Sequence, residues 1–560
     1  MVPKQQASKN RTKYIIEEII TMSVPNQRTP ALVALPSTET ADCKSKIQES
    51  KTEESVVERA INETGFGKFN IKVTIICYLI YLNAAIANGV TGFILPAASC
   101  DLKMNTVEKG RFGTAYLAGA CLSPFICGLL SDLKGRKWIL IVSLFLQGYS
   151  DLFQSIVPNY WAITALKLIS GIAATGQMFT VITYMSECIP SKQRNSLLTF
   201  MEFFWISGHG LASALGLAII PLNFEYRNDF FFFRSWNLYV TICSLPAFLI
   251  GSCFIFFPET PKYLAEKGSS EQLLQVLTNM YEQNVGKSGK EYIEKLLNSG
   301  DCSIIEMVNK TRTEYSVKNN NAKSYLGTKI LKELKHIGTI CKPPLFKNTF
   351  FACVTAFSLS SPYYALFIWL PEIFQRFADF NSQHQNGSSS NICTVSREIH
   401  SSDPFRDQQD SFGCDRAIDN SVFINNLYMS AVCAPAVLPM TFLVNRLGFR
   451  FFIASYSITS SALILGVYFV NSSMQNLILL CLYFSLLSVC ITGSFAFFAA
   501  IFPTNLRSSG VTLTSFLSRI GGVFGNTICT YLIDNNCSYL IMAVMSQLVV
   551  AAISTLIIRE

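Results

Sequence analysis

Three residues in the stretch FMEFFWISGHG could do chemistry together: Glu202, Trp205 and His209. On a helix their spacing of i, i+3, i+7 puts them on one stripe, because each residue turns the chain by about 100°. A carboxylate, an indole and an imidazole on one face suit an organic cation. The carboxylate supplies countercharge and the indole a cation–π face. The imidazole titrates near neutral pH and so suits proton coupling. The plainer reading is structural: Glu202 bridging to Lys167 or a loop arginine, and His209 giving one hydrogen bond in a packed bundle. Lys167 and Arg519 are the other ionisable residues found inside apolar stretches. Arg519, in SRIGG, reads as meeting lipid headgroups or a carbonyl near the cytoplasmic side. An ionisable group there is costly, which makes each a functional candidate.

The elements that hold these residues read as membrane helices. Only 15% of the 560 residues are charged and 50% are hydrophobic, where a soluble chain carries about a quarter charged. Charge-poor runs lie at about 71–98, 110–131, 137–157, 160–186, 196–221, 236–257, 348–371, 421–444, 450–470, 476–501, 510–533 and 537–557. Each suffices to cross a bilayer, which takes roughly 20 residues. The expected fold class is an all-α polytopic membrane protein with twelve transmembrane helices. No apolar signal segment opens residues 1–69, which read as a largely disordered cytoplasmic tail. Residues 258–347 form a Lys-rich linker with short helices, cytoplasmic by the positive-inside rule, and both termini then face the cytoplasm. The polar connection 372–420 faces outside or an organelle lumen. It holds the glycosylation sequon at Asn386, and Cys393 and Cys414, which could pair in an oxidising compartment. Cys100 and Cys537 end up on the same side and keep the pairing open. Of 18 cysteines, most lie in apolar runs, where a thiol acts as a small hydrophobe.

The decapeptide GLLSDLKGRK places Gly128, Asp132, Gly135, Arg136 and Lys137 between two apolar runs. A second copy stands 313 residues on: Gly135 aligns with Gly448 of VNRLGFR, and Lys137 with Arg450. The same offset pairs Pro190 with Pro503, and Arg194 of ECIPSKQRNS with Arg507 of AIFPTNLRSSG. Two loops with one offset argue for an internal duplication: six-helix bundles at 70–257 and 348–560, related by an axis along the membrane normal, with a solute path between them. The charged loops are expected to latch the cytoplasmic face.

These motifs resemble the major facilitator superfamily over nearly all of residues 70–557. GLLSDLKGRK matches its signature between helices two and three. YMSECIPSKQR, with Glu187 and Arg194, and PETPKYL are similar to the sugar-porter and organic-ion-porter branches. FMEFFWISGHG, YYALFIWLPEIF and LPAASCDL resemble the synaptic vesicle glycoprotein 2 family. That resemblance implies that Trp205 and Trp369 line a central cavity. Tyr363 and Tyr364 sit deeper in the same helix as Trp369 and either line the path or fill it. For Trp369 an interfacial aromatic belt is the alternative. The chain departs from the pattern in several places. The long luminal repeat domain of the vesicle glycoproteins is absent from the short outer loop. Asn88 and Gly89 stand where porters often carry an acid in helix one, Ala500 replaces the Glu before the helix-ten Pro, and Lys167 replaces an Arg. These departures count against sugar transport and the usual proton coupling.

The expected function is secondary transport of a small organic solute by alternating access, with protons as a candidate coupling ion. The alternative is a transport-inactive, vesicle-glycoprotein-like protein that acts by binding partners. The sequence reads as non-enzymatic and without cofactor: it has no phosphate-binding G-x-x-x-x-G-K-[ST] loop, and its histidines are too scattered for a metal cluster. Its partners are then the solute and the lipid bilayer, in a plasma or vesicle membrane, as a monomer. The net charge of +8 sits between apolar runs and does not indicate nucleic acid.

Overall fold

The computed structural model describes residues 53–222, 224–228, 231–298, 338–383, 391–401, 418–502, 506–534 and 536–558. In the N-terminal half, α1 (Glu53–Glu63) precedes the long helices α2 (Lys68–Ala97), α3 (Thr106–Lys134), α4 (Arg136–Gln154), α5 (Tyr160–Cys188), α6 (Ser191–Ile219) and α7 (Ser235–Phe254). A hairpin of β1 (Glu225–Asn228) and β2 (Phe231–Arg234) joins α6 to α7, with Tyr226 opposite Phe233. Three short helices follow: α8 (Pro261–Glu266), α9 (Ser270–Val285) and α10 (Gly289–Asn298). The C-terminal half holds α11 (Phe346–Phe367), α12 (Leu370–Gln383), α13 (Ile392–Ser401), α14 (Asn420–Phe469), α15 (Ser473–Ile501), α16 (Arg507–Leu532) and α17 (Cys537–Ile557). Among the described residues, eight helices are long and apolar enough to cross a membrane. Large apolar side chains stand exposed on them, such as Leu249 at 68% and Phe469 at 70%. That pattern suits lipid, not water.

Local chemistry sets the helix boundaries. Asn105 opens α3 with a capping box: its Oδ1 accepts the Glu108 amide at 2.9 Å, and the Glu108 carboxylate accepts the Asn105 amide at 2.8 Å. Asn159 caps α5 by accepting from the amides of Trp161 and Ala162. Gly135 separates α3 from α4 at φ 104°, and Gly448 breaks α14 at φ 76°. Both have a ψ of 155°, a region that only glycine enters readily. The offset of 313 read from the sequence recurs in the helices themselves: α5 and α15 are displaced by it at both ends.

Within the N-terminal half α3 and α4 pack on α5, α2 on α6, and α4 on α7; in the C-terminal half α11 packs on α16 and α17, and α14 on α15 and α17. The halves meet where α3 packs on α16, α6 on α14, and α2 on α12.

Three expectations are corrected. First, the polar tail is helical from Glu53. Val56, Val57, Ala60 and Ile61 form a helical stripe that is buried, α1 packs on α8 and α9, and Tyr292 of α10 donates to the Ala60 carbonyl at 2.8 Å. Second, helix continues to Gln383, past the expected boundary at 371, because Glu372 and Arg376 are buried in ion pairs instead of solvated. Third, Cys393 pairs with Cys537, not Cys414. α13 lies against the start of α17 and brings the two Cα atoms to 5.3 Å, within disulfide reach. Cys100 is also disulfide-bonded. Cys414, Asn386 and Pro503 lie outside the described residues, as does the side chain of Arg507.

Candidate functional site

The stripe on α6 faces the junction of the halves. Trp205 is half-buried, and Glu202 and His209 are each 8% exposed. The Trp205 ring lies 5.3 Å from Tyr81 of α2 and 5.2 Å from His209, which in turn lies 5.0 Å from Phe367 of α11. Phe367 stacks on Tyr363, and Tyr363 meets Tyr364 edge-on, both at 5.0 Å. An aromatic run thus crosses from one half to the other. His209 Nδ1 lies 3.0 Å from the Trp205 carbonyl. A carbonyl only accepts, so Nδ1 carries the hydrogen, while Nε2 is buried without a partner. Glu202 faces Thr492 of α15.

Arg519 corrects its expected place at the lipid headgroups. It is 8% exposed. From α16 it donates to the Tyr364 hydroxyl at 2.6 Å and reaches Met178 Sδ of α5 at 3.7 Å, and its guanidinium stands 5.7 Å over the Phe179 ring. It therefore spans the junction.

Lys167 pairs with Asp151 of α4 at 3.8 Å, not with Glu202. Sequence reasoning missed Asp151, whose acidic side chain stands in an otherwise apolar run and gave the available signal. It accepts from Gln147 at 2.6 Å, and Asn83 of α2 donates to both Gln147 and Gln177. This buried network belongs to the N-terminal half alone.

A second missed group joins the halves at the end of the bundle that carries the Cys393–Cys537 disulfide. Lys109 of α3 pairs with Glu372 of α12 at 2.8 Å. Glu372 also accepts from Arg376 at 3.3 Å, and Arg376 donates to Asp534 at 2.7 Å. Beside them Trp369, 0% exposed, donates to Asn526 Oδ1 at 3.1 Å. The Asn526 amide donates to the Gly110 carbonyl and to Thr114 of α3 at 3.0 and 2.9 Å. Full burial excludes the interfacial-belt reading for Trp369. Gly110 permits this close approach, since a Cβ there would stand 2.0 Å from Thr530 Oγ1.

At the opposite end, the motif residues knit the N-terminal half. Arg136 pairs with Glu187 at 3.1 Å and lies 3.6 Å from Asp132. Glu259 of the PETPKYL segment accepts from the Lys137 amide at 3.1 Å, capping α4 where a carboxylate meets free amides and the positive end of the dipole. Burial raises the Glu259 carboxyl above its ordinary value, opposed by the Thr260 and Lys137 amides and by Arg136. Thr260 donates to Glu187 at 2.6 Å, and Arg194 pairs with Glu58 of α1 at 2.7 Å. Gly128 and Gly448 have open space where a Cβ would stand. Arg450 keeps a buried Nε without a hydrogen-bond partner.

A mainly helical fold in two packed halves, with charges and rings gathered at their junction, is a polytopic fold of the major facilitator type. The model of the family described as sugar (and other) transporter matches residues 36–329, and the chain belongs to that family. Rat synaptic vesicle glycoprotein 2B is 28% identical over 365 residues, which span 61% of this chain and 52% of that protein. Mouse synaptic vesicle glycoprotein 2C is 26% identical over 328 residues, 56% of this chain and 44% of that protein. The chain thus spans about half the length of these curated relatives. Among solved structures, the inward open conformation of the xylose transporter XylE from E. coli overlays with a TM-score of 0.61 at 11% identity, covering 88% of this chain and 96% of that one. At that identity the likeness shows the fold.

Proposed function

We propose that this chain is a secondary transporter that moves a small organic solute by alternating access, driven by an ion gradient or by the solute gradient itself. The observation that carries this reading is the charged closure at the disulfide end: Lys109 from one half meets Glu372 from the other at 2.8 Å. Ion pairs across a junction can be broken and remade as two bodies rock.

Twelve spanning helices in two bundles of six fit this reading. The eight apolar helices are joined by α4, α6, the first part of α14, and α16. Of these four, α4, α6 and α16 are more polar because they carry Asp151, Glu202 with His209, and Arg519 with Asn526. Both termini then face the cytoplasm, in a plasma or vesicle membrane. Trp205, Glu202, His209, Tyr363 and Tyr364 form the solute site, with Trp369 in the closure above it. The loops at Gly128–Lys137, Glu187–Arg194, Gly448–Arg450 and Arg507 act at the cytoplasmic gate. His209 and Glu202 are the candidates for proton coupling, and Asn386 for glycosylation.

The test is efflux from proteoliposomes loaded with a cellular metabolite extract. At least one small organic solute should leave faster through the native chain than through Trp205→Ala. Equal rates for every solute, with both proteins folded, favour a non-transporting membrane protein that binds partners.

A further inference from the structure

The helix that carries Glu202, Trp205 and His209 does not cap itself. Only two residues separate the end of α5 at Cys188 from the start of α6 at Ser191. One of them, Pro190, holds the cap position and makes no side-chain hydrogen bond there. The cap comes from the far end of the sequence. Asn62, in the last turn of α1, accepts from the Ser191 amide at 2.8 Å and from the Ser191 hydroxyl at 3.1 Å. A side-chain carbonyl on a free first-turn amide is the chemistry of a helix N-cap, supplied here across 129 residues of chain. One turn further on, Arg194 donates to Glu58 of α1 at 2.7 Å and to the Ile189 carbonyl at 3.2 Å. It ties α1 to the end of α5 and the start of α6 together.

α1 is held from its other side as well. Val56, Val57, Ala60 and Ile61 are buried, and α1 packs on α8 and α9. Asn284 of α9 fixes the turn that leads from α1 into α2. It accepts from the Phe69 amide at 3.0 Å and donates to the Gly65 carbonyl at 3.0 Å and to Asn70 Oδ1 at 2.7 Å. A Cβ at Gly67 would stand 2.5 Å from the Asn284 carbonyl oxygen, so this approach needs a glycine. α1 is therefore a short strut between the helices that follow α7 and the first turn of α6. From Ser191, α6 runs unbroken to Trp205, about 21 Å at 1.5 Å per residue. It also packs on α14 of the other half. Where its first turn is held decides where the stripe stands and how α6 meets that half.

We propose that Asn62, with Glu58, is a positioning residue for the solute site: α1 is a detachable cap that holds the first turn of α6, and through α6 it sets the stripe and the motif end of the junction. This role rests on the reading of the stripe as a solute site, and the test separates the two.

The full-length chain in nanodiscs is read in two ways. One is amide hydrogen exchange over residues 191–196. The other is the distance between spin-labelled non-natural side chains at the exposed positions Phe200 of α6 and Leu447 of α14. Asn62→Ala should quicken the exchange about fivefold, the effect of losing one cap, and should move or broaden the distance. Asn62→Asp keeps the acceptor and should restore both. Ile61→Asp frees α1 while leaving Asn62 and Glu58 in the chain, and should reproduce Asn62→Ala at α6. Exchange that rises in α1 alone, with α6 and the distance at native values, overturns the proposal. Faster exchange in α6 with an unchanged distance overturns it too, because Asn62 then caps the helix and positions nothing. A loss in Asn62→Asp as large as in Asn62→Ala marks general destabilisation and has the same consequence. Efflux from proteoliposomes separates the two readings. Slower efflux through both Trp205→Ala and Asn62→Ala supports both. Efflux slowed by Trp205→Ala and untouched by Asn62→Ala overturns the positioning role and leaves the solute site standing. If Trp205→Ala leaves efflux unchanged, the solute site falls and this role falls with it, even where the distance moves.

Discussion

At the scale of single residues, Gly135 and Gly448 make a controlled pair. Both hold a backbone conformation that costs another residue roughly 1–3 kcal/mol. A Cβ at Gly135 would also stand 2.1 Å from Glu259 Oε2, whereas one at Gly448 meets open space. Gly135→Ala should therefore displace the Glu259 cap from α4 and lower the melting temperature clearly more than Gly448→Ala. Equal losses would mean that φ alone matters. These glycines were legible in the sequence as turn residues repeated at one offset. The reason for Gly135 beyond the turn was not, because Glu259 reaches it across 124 residues of chain. The same limit explains Asp151 and Arg519. Each was visible as a charge in an apolar run, but only the packing of α4 on α5, and the approach of α16 to α11 and α5, shows which partners they have.

At the scale of elements, the helices were readable because lipid demands long apolar runs. Boundaries failed where charge was buried. Glu372 and Arg376 look like the start of a solvated loop, yet α12 carries them into ion pairs with Lys109 and Asp534. Breaking one member of a buried pair costs about 3–5 kcal/mol, so Arg376→Gln should be strongly destabilising. Reversing both charges, Lys109→Glu with Glu372→Lys, should recover less than full stability, because Arg376 would then face a lysine. A double variant as stable as the native chain would show that the pair is not part of a larger network. α1 was misread for a related reason. Its charged residues dominate the composition, while Val56, Val57, Ala60 and Ile61 form the buried stripe. Ile61→Asp should free α1 and raise amide hydrogen exchange across Glu53–Glu63. Unchanged protection would mean that its docking depends on Glu58–Arg194 and Glu63–Lys295 and not on the stripe.

At the scale of the whole molecule, the duplication read from two loops extends to helices displaced by one offset, and the junction between the halves gathers the groups that neither half neutralises alone. A transporter needs such a junction to open on each side in turn. The most direct measurement is a pair of distance distributions in nanodiscs, one across the disulfide end between α3 and α12, the other across the motif end between α3 and α14. Both are compared between the native chain and a Glu372→Gln, Asp534→Asn variant. Alternating access predicts that weakening the ion pairs lengthens the first distance and shortens the second in the same molecules. A first distance that lengthens while the second stays fixed, or two unchanged distances in a folded variant, would contradict it.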